Sequence, residues 1–416
     1  MAHVLAYTSP ARGHLYPLTP ILDELRRRGH QVALRTLSSQ VDTMRARGFD
    51  ANPVDPRVEA IPHDDWKGSN QRDALNRAVR VFGARAAIEA DDVRRAIADE
   101  RPDAVLVDIN CWGAQAGVEV WGGPWAMFCP YPIPLPSRDA PPYGPGIPPA
   151  RGALGRLRDR LIGPAVRGVY LRAALPALNG PRHDVGLAPF TSVTDWLGRA
   201  PLVLYQTAEP FEYPRSDWPD NVMMVGPCDW NPDTDRPQWL DDVDRPIVLV
   251  TTSSEFQDDR RLVRTALDAL ADEPYLVVAT LPAGDLGGHR VPGNARLERF
   301  VPHDHVLGRA VCAVTHGGMG VTQKALAHGV PVCVVPFGRD QFEVARRVEV
   351  AGAGTRLPVG RLSPDRLRAA VQAAIGRREG ARRIAAAFAA AGGPPAAADA
   401  VENITVSKGP SLGRKR

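Results

Sequence analysis

Short apolar runs recur along this chain, and helical periodicity fills the intervals between them. His3 to Tyr7 is the first run, and Ser9, Pro10 and Gly13 supply turn chemistry after it. Leu18, Ile21, Leu22 and Leu25 then repeat at the i, i+3, i+4, i+7 spacing of a helix with one buried face. Pro17 reads as lying near the start of that helix, where its missing N–H costs nothing, and Gly29 as ending it. Gln31 to Leu37 is the next run. Strand, helix, strand in this order predicts a parallel βαβ unit with a right-handed crossover. The pattern continues through a helix over Ala87 to Asp99 and strands at Ala104 to Val107, Trp125 to Phe128 and Leu202 to Tyr205, the last reading as the end of the first half.

Two proline-dense stretches punctuate the series. Residues 130–149 read as a loop, and 226–246, with Pro227, Pro232, Pro237 and Pro246 among aspartates, as a linker. A second series follows at Ile247 to Val250, Tyr275 to Ala279, Val311 to Val314 and Val332 to Val335. The pattern therefore predicts an α/β fold of two Rossmann-like lobes, residues 1–225 and 247–385. A helical segment, 386–407, is expected to pack back toward the first lobe, and 408–416 to form a basic tail. Parallel sheets would face a central cleft, lined by the carboxyl ends of their strands.

Composition narrows the partners. The chain has 416 residues, enough for two domains, and a net charge of +4 from 51 Lys and Arg against 47 Asp and Glu. Those charges are scattered. The tight run Arg26 to Arg28 suits a helix C-terminus, so nucleic-acid binding is not expected. Cys111, Cys129, Cys228, Cys312 and Cys333 form no close pair and no metal-ligand spacing, which reads as reduced thiols in a cytoplasmic protein. The N-terminus enters a strand with no signal-peptide pattern, and no run of about 18 apolar residues predicts a membrane span. A monomer or homodimer is expected.

The most specific segment is Thr315-His316-Gly317-Gly318-Met319-Gly320-Val321. It follows a strand and opens a helix. Glycine admits close backbone approach, and a helix N-terminus presents free N–H groups with about half a positive charge, so this arrangement suits a phosphate. It lacks the Lys of a Walker loop and the spacing of the dinucleotide fingerprint. A tight turn with an incidental histidine is the alternative. His14, after Gly13, sits at the carboxyl edge of the first sheet. A neutral imidazole of pKa about 6.5 suits removal of a hydroxyl proton. Asp108, at the end of the strand Ala104 to Val107, is placed to orient it, or else is a solvated turn residue. Asp233-x-Asp235 has the form of a metal-binding pair but stands in the linker with no strand before it. Asp64-Asp65 and Asp241-Asp242 are set aside likewise, and no metal or other cofactor is expected.

Thr315 to Gln341, with its His-Gly-Gly-x-Gly turn and Val-Pro-Phe-Gly-Arg-Asp-Gln ending, resembles the donor signature of the family 1 glycosyltransferases of GT-B fold. The likeness is to the bacterial branch that decorates antibiotics and other natural products. Phe300-Val301-Pro302-His303 resembles its nucleobase segment, and Gly13-His14 with Pro17 its base position. The resemblance implies single-displacement, metal-independent transfer from a nucleoside diphosphate sugar to a small hydroxylated acceptor, with inversion. It implies that Phe300 and the Val301 backbone hold the base and that His303 lies near the ribose. Ser254, His316, Gly317 and the amides of Gly318, Met319, Gly320 and Val321 would meet the diphosphate, and Asp340 and Gln341 the sugar hydroxyls. For Asp340 a helix cap is the alternative.

The chain departs from the family at Val321, where Ser or Thr is usual, and at Lys324, where a Glu usually takes the ribose hydroxyls. Lysine cannot accept a hydrogen bond. A donor without a 2′-hydroxyl then loses little, which favours dTDP-deoxysugars over UDP-sugars, unless Lys324 points to solvent. An epimerase or phosphorylase of the same fold, or an inactive partner protein, are the rival readings.

Overall fold

The computed structural model describes residues 1–230, 232, 235–254, 257, 259–282 and 288–406. Asp233 and the tail 408–416 lie outside the described residues. The first half forms a seven-stranded sheet of β1 (His3–Tyr7), β2 (Gln31–Thr36), β3 (Asp50–Pro53), β4 (Ala104–Asp108), β5 (Trp125–Cys129), β6 (Leu202–Tyr205) and β7 (Val222–Met224). Its order is β3-β2-β1-β4-β5-β6-β7, every pair parallel. The second half forms a six-stranded sheet of β8 (Ile247–Thr251), β9 (Leu276–Thr280), β10 (Ala295–Glu298), β11 (Ala310–Thr315), β12 (Val332–Val334) and β13 (Gly354–Arg356). Its order is β10-β9-β8-β11-β12-β13, again parallel. Side chains alternate in direction along a strand, so each sheet buries apolar residues on both faces. Leu5 and Tyr7 join one core of the first sheet and Val4 and Ala6 the other. Leu249 and Val250 divide the second sheet in the same way.

The edges were harder to read than the centre. β6 is not the last strand of the first half, because β7 follows it. β3 carries Asp50, Asn52 and Pro53, which an edge strand tolerates and an apolar pattern does not reveal. The helix expected over 87–99 spans Gln71–Glu100, and a helix at Gly152–Asp184 was not anticipated, since Pro164, Pro176 and Pro181 interrupt it. Pro17 lies well inside the helix Arg12–Arg27 rather than at its start. Gly29, at φ 90°, does end that helix.

Several contacts among the described residues tie the two halves. The proline-rich loop reaches the second lobe, where Gly144 N and Gly146 N donate to Glu343 Oε1 at 2.8 and 2.9 Å. Gly146 has φ 61°, and a Cβ there would lie 2.3 Å from Phe342 O, so glycine is required. Arg347 is buried between Glu212 and Glu343, at 2.9 and 2.8 Å. Removing either carboxylate would leave a buried charge poorly compensated. The helix Arg378–Ala390 packs Ile384 and Phe388 into the second lobe. After Gly392 and Gly393 the helix Gly393–Val406 inserts Ala397 and Val401 into a core of the first, where Arg28 meets Asp399 and Glu402 at 2.5 and 3.0 Å. By length and composition one window within Arg378–Val406 is apolar enough to cross a membrane, but the stretch is two helices that meet at Gly392 and Gly393 and pack on the two lobes.

Candidate active site

In a doubly wound sheet the crevice opens where strand order reverses. In the first sheet that point is between β1 and β4. Tyr7 is in register with Val107, so the chain leaves both strands side by side. His14, in the first turn of the helix after β1, and Asp108, the last residue of β4, meet there. His14 Nδ1 stands 2.6 Å from Asp108 Oδ2. The carboxylate is fully buried and the imidazole side chain is 15% exposed. A carboxylate only accepts, so the proton belongs on Nδ1 and Nε2 keeps its lone pair. Asp108 Oδ1 accepts from Asn110 N at 2.8 Å. Sequence reasoning missed Asn110. The available signal was an amide two residues beyond a strand-ending aspartate, a turn position.

The second sheet repeats the geometry between β8 and β11, where Thr251 is in register with Thr315. Ser254 follows β8 and is exposed; His316 follows β11 and is buried. Gly317 takes φ 95°, and its N–H donates to Thr315 Oγ1 at 3.1 Å. The helix Met319–Ala327 begins at Gly318 with no side-chain cap, so its first-turn N–H groups have no carbonyl partner inside the helix. The His316 ring lies over this loop, since a Cβ on Gly318 would stand 2.5 Å from Nε2. Burial pushes its pKa down to about 4, so it is neutral near pH 7. Among the described residues His316 Nδ1 has no hydrogen-bond partner. Met319 is buried, Val321 half-buried and Gly320 exposed.

Phe300 is half exposed beyond β10, and Val301 beside it is buried. His303 has its Nε2 at 3.4 Å from Thr280 Oγ1, and burial pushes its pKa down to about 4. Asp340 precedes the helix Gln341–Val350 without capping it through its side chain. Burial raises its carboxyl to about 6, against an opposing pull that includes His14 from the other lobe. Asp340 and His14 thus share one cleft. Arg339, at φ 56°, spans that cleft and grips Asp65 at 2.7 and 3.0 Å. Asp65 therefore anchors the lobes to each other rather than standing as an idle acidic residue.

Two placements correct the sequence reading. Gln341 is engaged by the protein at its amide oxygen and at one of its two N–H donors. Its Oε1 accepts from Phe337 N and Gly338 N at 2.8 and 3.0 Å, and its Nε2 donates to Gln257 Oε1 at 2.8 Å. Lys324 does not point to solvent. It is buried, with Nζ 2.5 Å from Asp229 Oδ1, 3.6 Å from Asp304 Oδ1 and 3.2 Å from Trp230 O. Asp229, Asp304 and His328 lie close enough together to hold a metal ion, but the lysine ammonium is the cation those two carboxylates already meet.

Comparison with known proteins decides the family. The profile described as erythromycin biosynthesis protein CIII-like, C-terminal domain, matches residues 264–404. The 4′-demethylrebeccamycin synthase of Lentzea aerocolonigenes is 35% identical over 97% of this chain and 99% of its own length. This chain belongs to the GT-B natural-product glycosyltransferases. The demethyllactenocin mycarosyltransferase of Streptomyces fradiae is 25% identical over 97% of the chain and 87% of its own length. The crystal structure of the kitacinnamycin glycotransferase superposes with a TM-score of 0.73, covering 97% of this chain and 98% of that one at 25% identity. The protein is a glycosyltransferase.

Proposed function

We propose that this glycosyltransferase transfers a sugar from a nucleoside diphosphate donor to a hydroxyl of a small natural-product acceptor, with inversion and without a metal ion. The observation that carries the reading is the His14–Asp108 pair at 2.6 Å, sharing a cleft with Asp340 of the other lobe. Nε2 takes the acceptor proton as the acceptor oxygen attacks the anomeric carbon, and Asp108 stabilises the imidazolium that forms. The leaving diphosphate is met by the N–H groups at the start of Met319–Ala327, with His316 adding one side-chain donor and Ser254 a hydroxyl. Asp340 accepts from sugar hydroxyls. Phe300, Val301 and His303 take the nucleoside.

The donor is proposed to be a dTDP-deoxysugar, with UDP-sugars possible. The support is that residue 324 presents no hydrogen-bond acceptor and that its ammonium is engaged by Asp229 and Trp230 O. Competition between dTDP and UDP tests this. A UDP preference that disappears in Asp229→Ala would instead make the Asp229 carboxylate the ribose acceptor. Transfer assayed in EDTA tests the metal arm: activity is expected to persist, and loss restored by Mg²⁺ or Mn²⁺ would overturn it.

A further inference from the structure

The base does not stand on Asp108 alone. Asn110 Nδ2 lies 3.3 Å from His14 Nε2, the atom that takes the acceptor proton. An amide has a donor end and an acceptor end, and which end meets Nε2 matters. Here Asn110 Oδ1 accepts from the Tyr131 hydroxyl at 2.7 Å. Burial keeps the phenol protonated, with its pKa well above the usual value, so it remains a donor. With the phenol donating to Oδ1, the amide presents its N–H₂ to the imidazole. The backbone N–H of Asn110 is meanwhile fixed on Asp108 Oδ1, and the Tyr131 ring packs edge-on against the His14 ring at 5.9 Å. A donor at Nε2 and a carboxylate at Nδ1 select one tautomer, the one with its lone pair on the reacting nitrogen.

We propose that Asn110 and Tyr131 are positioning residues for the base: Tyr131 sets the amide orientation, and the amide holds the His14 imidazole neutral with Nε2 unprotonated until an acceptor hydroxyl displaces it. This rests on His14 being the base. The long 3.3 Å contact is weak enough for an incoming hydroxyl to replace it, whereas the shorter bonds to Asp108 and Tyr131 persist. The charged and titratable groups near His14 are Asp108 from β4, Asp340 and Arg339 from the second lobe, His63 from the turn before Asp65, and Tyr131 itself.

The test is the acid limb of the kcat/KM profile, measured on folded enzyme. Asn110→Asp removes the donor and adds a carboxylate, both favouring imidazolium, so the limb is expected to move up by about one pH unit, with turnover recovering above it. Tyr131→Phe frees the amide to rotate and is expected to move the limb the same way by less. Nitrogen NMR of the His14 ring reads protonation without activity: wild type is expected to hold the proton on Nδ1 with Nε2 bare near pH 7, and Tyr131→Phe to show more Nε2 protonation, as imidazolium, at the same pH. An unmoved limb with equal loss at every pH, or unchanged Nε2 protonation, would overturn the proposal and leave the base assignment standing. His14→Ala that retains turnover would overturn the base assignment itself.

Discussion

At the crevice between β1 and β4, the side chains assigned to proton transfer are tied to protein partners. His14 Nδ1 meets Asp108, Asp108 meets the Asn110 backbone, and Asn110 meets Tyr131. At the crevice between β8 and β11 the same strand reversal is furnished the opposite way. The helix start has no side-chain cap. Among the described residues His316 Nδ1 is buried without a hydrogen-bond partner, and of the loop amides Gly317 N alone bonds a side chain, Thr315 Oγ1. One topology thus yields a saturated corner and an unsaturated one. A proton acceptor needs a fixed tautomer and orientation, which only protein bonds can supply in advance. A diphosphate site needs donors still unspent when the anion arrives, so capping it with the protein's own side chains would defeat it.

The comparison breaks most visibly at its saturated end. His14→Ala is expected to lose roughly 10² to 10⁴-fold in transfer rate while nucleoside diphosphate affinity, measured by calorimetry, stays near wild type. At the other end, Gly318→Ala drives a Cβ against His316 Nε2 and is expected to weaken nucleoside diphosphate binding by about tenfold, or about 1.4 kcal/mol. Unchanged affinity there would separate His316 from the anion site.

Asp340 sharpens the comparison through pH. With a carboxyl raised to about 6, it is neutral below that pH and ionised above it. Donor KM is expected to rise as pH falls through about 6 and to level off above it, and Asp340→Asn to remove that dependence. A donor KM flat from pH 5 to about 8 in the wild type would contradict the role.

The smallest effect lies beneath the saturated corner. Glu89 is fully buried, accepts from Gly113 N at 3.1 Å, and is pushed up to about 8 by burial. Its folded pKa exceeds its unfolded value, so its contribution to stability is full at low pH and lost as pH rises through about 8. Glu89→Gln keeps the acceptor and is expected to melt within a few degrees of wild type near pH 6, and above it near pH 9. The opposite order at high pH would show that the fold does not disfavour the ionised Glu89 carboxylate.

The sequence made the centre of each sheet legible because β1, β4, β8 and β11 are apolar on both faces. The same four strands carry the site, so His14, Asp108 and His316 could be placed on carboxyl edges before any geometry was known. What escaped depended on side-chain direction. Gln341 carries the right amide, but it is turned into the fold by Gln257 and two backbone N–H groups that no spacing reveals. Lys324 stood out as a departure, yet its partner Asp229 lies in the linker, 95 residues away. Asn110 and Tyr131 come from two different loops and meet only because β4 and β5 are neighbours. Asp65 took its meaning from Arg339, on the opposite lobe.

The central claim is that His14 activates an acceptor for one direct displacement across the cleft. The anomeric configuration of the product, read by proton NMR against a donor of defined anomer, tests it most directly. An α-linked donor is expected to give a β-linked product from the first turnover. Retention of the donor configuration would require an enzyme-bound nucleophile or a front-face path, and would contradict the role given to His14.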